Sequence, residues 1–231
     1  MKRLAILTAL LLATSPAAQA RPVVVELFTS EACSSCPPAE AFLGQLAQNP
    51  NILALAFHVT YWNGPAWTDK YALTTATDRQ TNYATLLHQN DVFTPQAIID
   101  GQTSATGSDQ ASVNAAITAA QAAQPPAIPV TITAGKMLTI QVGDGGGAAN
   151  NSSATNAQIW LFGYDSHHTT QIGGGENDGA TISESNVVRS ITPLGGYTGI
   201  PVTYTIPTPA GEHMAVVVQT DSGTILGASS N

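Results

Sequence analysis

The sequence predicts an α/β N-terminal domain followed by an all-β, antiparallel, sandwich-like C-terminal domain. Three observations support this prediction: strand and helix patterns that alternate over the first half, a proline-rich segment near the middle of the chain, and strand-like alternation of apolar residues beyond it. A chain of 231 residues is long enough for two small domains, since one domain averages roughly 150 residues.

The first half of the chain alternates between strand and helix patterns. Two apolar runs, Val23 to Phe28 and Ile52 to His58, are typical of strands buried on both faces. Apolar residues at three- and four-residue spacing predict a helix after each run. Residues 97–101 and 102–106 predict two further strands, and a third helix ends near Ala123. The predicted order is therefore strand, helix, strand, helix, strand, strand, helix.

The second half of the chain has the pattern of an all-β domain. Residues 125–129 form a proline-rich, extended linker, which separates a domain at 21–124 from one at 130–231. No helical stripe of useful length follows it, and Gly- and Asn-rich turns separate the apolar segments, so we expect a sandwich or barrel of about six to eight strands. The segments are 130–134, 138–142, 159–164, 186–191, 200–206 and 214–219.

The N-terminus has the pattern of a cleaved export signal. Residues 1–3 are a short basic start, Leu4 to Ala13 are almost all apolar, and Ala18-Gln19-Ala20 has the small residues that a signal peptidase recognises. The alternative is an anchoring helix, but the apolar run is about half of the roughly 20 residues that cross a bilayer. We therefore expect residues 1–20 to be removed, and the mature protein to be periplasmic or secreted with no membrane anchor.

Composition excludes several classes of partner and cofactor. The chain has 15 acidic and 7 basic residues, a formal charge of −8, so it cannot neutralise a nucleic-acid backbone or an anionic membrane. Its two cysteines are too few for a disulfide-dense scaffold, an all-cysteine zinc site or an iron–sulfur cluster. We predict no cofactor, and partners that are exported proteins or small thiols.

The two cysteines form a Cys-x-x-Cys motif, Cys33-Ser34-Ser35-Cys36, between the first strand and the first helix. The positive end of a helix dipole favours a thiolate, so we expect Cys33 to be an exposed nucleophile and Cys36 a buried resolving cysteine. Pro37 excludes covalent haem attachment, which needs histidine there. A static disulfide is the alternative, but a bridge across two residues closes so short a loop that it adds little stability.

These motifs resemble a known fold and family. The order of elements, the Cys-x-x-Cys and Thr94-Pro95 before the third strand resemble the thioredoxin fold, in which that proline is cis and packs beside the disulfide. More closely, the chain resembles the exported bacterial thioredoxin-like family called domain of unknown function 1223. The matching segments are Val25–Pro38, His58–Trp62, Thr94–Gln96, Asp100-Gly101, Gly175–Asn177, Asn186–Arg189 and Ile225–Ala228. The family has no settled activity, so the resemblance implies a fold, export and a redox-active pair.

One departure from thioredoxins concerns the proton that the resolving cysteine must lose. Thioredoxins have a buried Asp six residues before the first cysteine, where this chain has Leu27. Glu26 is one residue away, and neighbouring residues of a strand point to opposite faces. If a base exists, it comes from elsewhere in the chain.

Four further residues are candidates beside the pair. His58 ends the second strand near the cysteines, where it could activate a thiol, complete a copper or zinc site with Cys33 and Cys36, or be structural. We expect Thr94-Pro95 to be cis and to align a substrate strand by main-chain pairing. Trp62 either lines a groove for an extended peptide or packs its own loop.

Charged residues near these motifs have simpler interpretations. Glu31 would raise the pKa of the Cys33 thiol if it pointed inward, but we expect its side chain to be solvated. Lys70 and Arg79 are the cations between Arg21 and Lys136, and we expect them on helix surfaces.

The function that the sequence favours is an exported thiol–disulfide oxidoreductase that acts on protein or small-thiol substrates. Cys33 attacks, Cys36 resolves, and Thr94, Pro95, His58 and Trp62 position the substrate. The alternative is a binding module, either a Cu(I) carrier that uses the two thiolates or a non-catalytic interaction protein.

Overall fold

The computed structural model describes residues 21–145 and 156–231, so the predicted signal peptide at residues 1–20 lies outside the described residues. Within the described ranges, no helix has the length and apolar character needed to cross a membrane. The helices are α1 (Pro37–Leu46), α2 (Thr74–Leu86) and α3 (Gln110–Ala123). The strands are β1 (Val23–Thr29), β2 (Ile52–His58), β3 (Gln96–Ile99), β4 (Thr103–Thr106), β5 (Val130–Thr133), β6 (Leu138–Val142), β7 (Ala157–Gln171), β8 (Thr181–Tyr197), β9 (Val202–Ile206), β10 (His213–Thr220) and β11 (Ile225–Ser230).

Eight of these strands form one mixed sheet in the order β11-β10-β7-β8-β2-β1-β3-β4. Strands β1 and β2 are parallel over seven residue pairs, and β2 meets β8 in parallel where Ala56 faces Val187. The other neighbouring strands are antiparallel. Strands β5, β6 and β9 form a separate three-stranded sheet that packs against the larger one.

The predicted fold class, a thioredoxin-like α/β domain followed by an all-β sandwich-like domain, is wrong. The order of elements from β1 to α3 is the predicted one, and a strand lies at each of the six predicted segments. However, β7, β8, β10 and β11 extend the sheet of the first half instead of forming a sandwich of their own. Periodicity within a segment reports which residues are buried, but it does not report which distant strand provides the backbone partner. The boundary at residues 125–129 stays a prediction.

Alternating residues of the large sheet face different apolar cores. In β1, Val23, Val25 and Leu27 pack with α1 and α3, whereas Val24 and Phe28 pack on the face that contacts α2. The small sheet packs on alternate residues of β7 and β10 and forms a third core. Burial on both faces explains why the strands of the first half are nearly continuous apolar runs.

The large sheet curls, so the turn between β3 and β4 meets the turn between β10 and β11. Gln102 Nε2 donates to the carbonyl of Ser222 at 2.9 Å across this contact. Gly101 has φ +69°, and a Cβ atom there would lie 2.0 Å from the carbonyl oxygen of Gly223. Only glycine allows this conformation and this close approach. One of the three cores lies inside this curl and has contributions from both halves of the chain.

A charged network lies inside this curled sheet. Arg79 of α2 donates from Nη2 to Glu26 Oε1 at 2.8 Å and to Gln219 at 3.1 Å, and the Tyr83 hydroxyl donates to Glu26. The expectation that Arg79 lies on a helix surface is wrong, because its side chain is only 6% exposed. Glu26 is on the opposite face from Leu27, as predicted. Its carboxylate is neutralised there and is not part of the cysteine site.

Removing Arg79 should strongly destabilise the protein. Arg79→Leu leaves the Glu26 carboxylate buried without a cation, a change that costs about 3–5 kcal/mol in comparable pairs. Lys136→Leu is the control, since it removes one positive charge from an exposed turn and should change stability by only about 0.5 kcal/mol. Urea unfolding of both variants measures the difference, and equal losses would contradict a buried ion pair.

Candidate disulfide site

Cys33 and Cys36 form a disulfide at the junction of β1 and α1, with Cα atoms 5.4 Å apart. Cys36 is the N-cap residue of α1, and Pro37 and Pro38 begin the helix. Proline is tolerated there because the first amides of a helix have no intrahelical acceptor. The local sequence therefore places the disulfide at the positive end of the α1 dipole, as predicted.

Both cysteines are fully buried, whereas Ser34 and Ser35 between them are exposed. The expectation of an exposed Cys33 is therefore wrong for the disulfide state. A second segment of chain covers part of the cysteine loop, and the loop sequence itself does not reveal it.

The cover is the 3-10 turn Gly175–Asn177 between β7 and β8. Glu176 Oε2 accepts from the amide and the hydroxyl of Ser34 at 3.3 and 2.7 Å. Asn177 Nδ2 donates to the carbonyl oxygens of Glu31 and Cys33 at 2.9 and 3.0 Å. Sequence reasoning assigned this turn no role in the site, although Gly175-Glu176-Asn177 is one of the segments that carry the family resemblance.

The Thr94-Pro95 peptide bond is cis, as expected, and lies beside the cysteine loop. The Ser35 hydroxyl is 3.5 Å from the Thr94 carbonyl oxygen. Trp62 Nε1 donates to Thr94 Oγ1 at 2.7 Å, so the Trp62 loop and the Pro95 loop are held together. Three of the predicted positioning residues therefore lie together at the disulfide.

His58, the fourth, lies inside the protein and is inaccessible to a substrate in this state. Its Nδ1 is 2.7 Å from Asp69 Oδ2, and its Nε2 is 3.1 Å from Glu184 Oε1. The contact with Glu184 is at ion-pair distance, but its geometry is not that of a well-aligned hydrogen bond. Burial by itself lowers the pKa of His58, but the facing carboxylates of Glu184 and Asp69 raise it well above 6.5. The two carboxylates therefore favour the protonated, imidazolium form of the ring.

Glu31 belongs to the same buried cluster. Its carboxylate accepts from Trp67 Nε1 at 3.0 Å, and its backbone amide donates to Asp69 Oδ2 at 2.9 Å. The expectation of a solvated Glu31 is wrong, because the Trp67 loop folds over it. Burial, followed by repulsion from Asp69, raises the pKa of Glu31.

Glu40 of α1 is a further residue of this cluster that sequence reasoning missed entirely, as it missed Asp69 and Glu184. It is 2% exposed, and its Oε1 accepts from Thr29 Oγ1 at 2.6 Å, while its Oε2 has no hydrogen-bond partner in the described structure. Burial first, and then the nearby Glu184, raises the pKa of Glu40 to about 8. A carboxyl group four residues after Cys36 was the available signal, since positions i and i+4 share a helix face.

Across residues 21–145 and 156–231, no group of three or more His, Cys, Asp and Glu side chains has an arrangement that could hold a metal ion.

A cavity of about 550 Å³ lies away from the cysteines, and Arg79, Tyr83 and Trp160 are among its lining residues. It is separate from the disulfide site.

Comparison with known proteins assigns the chain to a family. The family model described as "Protein of unknown function (DUF1223)" matches residues 24–219. The chain belongs to the DUF1223 family. No curated protein matches this DUF1223 protein.

Two solved structures are similar to this DUF1223 protein. The crystal structure of protein AGR_C_4864 from Agrobacterium tumefaciens has 30% sequence identity and a TM-score of 0.77, over 92% of this chain and 94% of that chain. HBP35 of Porphyromonas gingivalis has a TM-score of 0.58 at 13% identity, over 91% of this chain and 74% of that one. The second likeness shows a shared fold alone.

Loosening the cover should speed reduction of the disulfide. Glu176→Ala removes both hydrogen bonds to Ser34, so we expect dithiothreitol to reduce the disulfide about threefold to tenfold faster. Glu212→Ala is a matched control, because Glu212 makes the same two hydrogen bonds to Ser166 away from the cysteines. Quenching with an alkylating reagent followed by mass spectrometry measures the rate, and equal rates in both variants would contradict a covering role.

Glu40 should make stability fall as pH rises. The pKa of Glu40 is raised from 4.5 in the unfolded chain to about 8 in the folded one. Its contribution to the free energy of unfolding is therefore complete below pH 4.5 and is lost as pH rises towards 8. The slope is at most about 1.4 kcal/mol per pH unit. Glu40→Gln should flatten the profile between about pH 5 and pH 8 in urea unfolding, and Glu212→Gln should not. His58 adds a slope of the same sign above its ordinary pKa in all three proteins, so the difference isolates Glu40.

Proposed function

We propose that this protein is an exported thiol–disulfide oxidoreductase whose Cys33–Cys36 disulfide exchanges with the thiols or disulfides of proteins or small molecules. The observation that carries the proposal is the position of the disulfide at the N-terminus of α1. There the positive end of the helix dipole stabilises a thiolate, which is both the attacking species and the leaving group in thiol–disulfide exchange.

A purely structural role explains this disulfide poorly. The stabilisation that a disulfide provides rises with the length of the loop it closes, and this bridge spans a sequence separation of only 3. The same loop is already tied down by Glu176 and Asn177 through hydrogen bonds. A chemical use of the cysteines therefore accounts for the bridge better than stability does.

Cys33 is the sulfur that we expect a substrate to reach. It precedes the helix and is followed by exposed Ser34, whereas Cys36 is part of the helix end. Exchange requires the Glu176 and Asn177 contacts to open, because both cysteines are buried when the cover is in place. Cys36 then acts as the resolving cysteine.

The surface around the site suits a substrate held by main-chain and apolar contacts. Thr94 lies beside Ser35, and the partly exposed aromatic residues Tyr61 (43%) and Phe93 (37%) flank the Trp62 and Thr94 loops. The chain is acidic overall, with a net charge of −8, so attraction of an anionic substrate is not the basis of recognition. An extended segment that pairs with the Thr94 backbone fits these contacts.

No observation favours the copper-carrier alternative. His58, which could add a third ligand to the two thiolates, is held between Asp69 and Glu184 by its two ring nitrogens. Both cysteines are consumed by the disulfide in this state. The proposal of export rests on residues 1–20, whose pattern directs the chain to a compartment where disulfides persist.

Trapping of a mixed disulfide tests the proposed function. Cys36→Ser removes the resolving sulfur. Cys33 should therefore attack a disulfide of a model substrate such as insulin and remain covalently attached to it, as an adduct that dithiothreitol releases. Cys33→Ser, the matched control, should form no such adduct and should lose insulin reduction. Non-reducing gels and mass spectrometry detect the adduct. The proposal fails if Cys33→Ser is as active as the wild type and Cys36→Ser traps nothing.

A further inference from the structure

We propose that Glu40 exchanges a proton with Cys36 each time the disulfide opens or closes, an assignment that rests on the proposed thiol–disulfide exchange. The role of proton donor and acceptor thereby falls to a side chain of α1, one turn beyond the resolving cysteine.

The burial of Cys36 creates the need for such a group. When the disulfide is opened, the sulfur of Cys36 leaves with the bonding electron pair in a position with 0% solvent exposure. An unpaired charge in such a place is unfavourable, and bulk water is not in contact with it to supply a proton. A neutral acid within the same buried site removes this obstacle.

Glu40 has the required position. Its backbone amide donates to the Cys36 carbonyl at 3.1 Å, and Cys36 has helical φ and ψ angles of −81° and −36°. The two residues are therefore one helical turn apart on the same face, where Cβ atoms are roughly 5–6 Å apart. Leu27 has no proton to exchange, and Glu26 is bound to Arg79 on the other face of the sheet.

Hydrogen bonding leaves one oxygen of Glu40 available. Thr29 Oγ1 donates to Oε1, whereas Oε2 is buried and has no partner among the described residues. With a pKa of about 8, the carboxyl group holds its proton at neutral pH while the disulfide is intact. The disulfide state therefore already contains the proton that the departing thiolate needs.

Some of the groups that face Glu40 stabilise its neutral form, and others stabilise its charged form. They come from every element packed around it: Thr29 from β1, His58 from β2, Asp69 from the loop after β2, and Glu184 from β8. Glu184 and Asp69 oppose a negative charge on Glu40, while the hydrogen bond from Thr29 and the His58 imidazolium favour it. These opposing effects keep the two forms close in free energy, as a proton-exchanging group requires.

The step balances as follows. A substrate thiolate attacks Cys33 Sγ, the new sulfur–sulfur bond forms there, and the Cys33–Cys36 bond breaks with its electron pair passing to Cys36 Sγ. The proton moves from the Glu40 carboxyl group to this sulfur and leaves a carboxylate facing Thr29 and His58. A second substrate thiolate then attacks the substrate sulfur of the mixed disulfide and releases Cys33 as a thiolate. The two cysteines have then gained two electrons, and the two substrate thiolates have become a disulfide. Closure runs through the same events in reverse.

The pH profile of disulfide opening tests the assignment. The rate of opening by dithiothreitol, divided by the thiolate fraction of the reagent, should fall by up to about tenfold per pH unit above pH 8 in the wild type, as Glu40 loses its proton. Glu40→Gln should open about 10²-fold more slowly near pH 7 and show no such fall, so the two rates converge at high pH.

Further variants separate proton exchange from a structural role. Glu40→Asp should keep the fall with pH, since it keeps a carboxyl group. Thr29→Val removes the hydrogen bond that lowers the pKa of Glu40, so the fall should move to higher pH. Glu176→Gln, in the cover, should change the rate without moving the pH at which it falls. The Asp and Val variants decide the question if Glu40→Gln fails to fold.

The outcomes distinguish this assignment from the proposed function. If Glu40→Gln shows the wild-type fall with pH, or Thr29→Val leaves that fall where it was, Glu40 is not the proton donor, even if Cys36→Ser traps substrate. If the profiles change as expected but no substrate is trapped, the proposed function fails and the chemistry of Glu40 is supported for the disulfide alone.

Discussion

The ion-paired side chain of His58 is the interaction on which the site depends. Its imidazolium ring lies between Asp69, from the loop after β2, and Glu184, from β8. Asp69 also accepts from the amide of Glu31, which begins the cysteine loop. Without this positive charge, the buried carboxylates of Asp69 and Glu184 would lie near each other with no cation between them, an arrangement that is strongly destabilising. One charge thus holds together the segments that surround the disulfide.

The β7–β8 hairpin explains why the second half of the chain is part of the site. Its strand β8 meets β2 at Ala56 and Val187 and brings Glu184 to His58. Its turn brings Glu176 and Asn177 onto the cysteine loop. The same hairpin therefore supplies both the buried Glu184 side chain and the turn that covers the cysteine loop. Under the proposed function, the covered disulfide would be reached only when the cover moves, so its exchange would be coupled to a conformational change.

Much of the site could be predicted because its signals are local. A Cys-x-x-Cys followed by two prolines marks a helix start, and Thr94-Pro95 precedes a short apolar strand. Glu31, Glu40 and Arg79 could not be placed in this way, because a charged residue is solvated by default and is buried only when distant residues neutralise it. Their partners come from other segments: Trp67 for Glu31, the His58 cluster for Glu40, and Glu26 for Arg79.

The sequence by itself determined the cysteine motif at a strand–helix junction, the order of elements from β1 to α3, and the positions of the strands other than β11, since each depends on residues close together in the chain. Only the tertiary structure decided that both halves share one curled sheet, that Cys33 is covered, and that a carboxyl group lies one helical turn from Cys36 inside a charged cluster. The reason is physical: strand pairing and the burial of charge depend on contacts between residues far apart in sequence, and no local pattern encodes which ones meet.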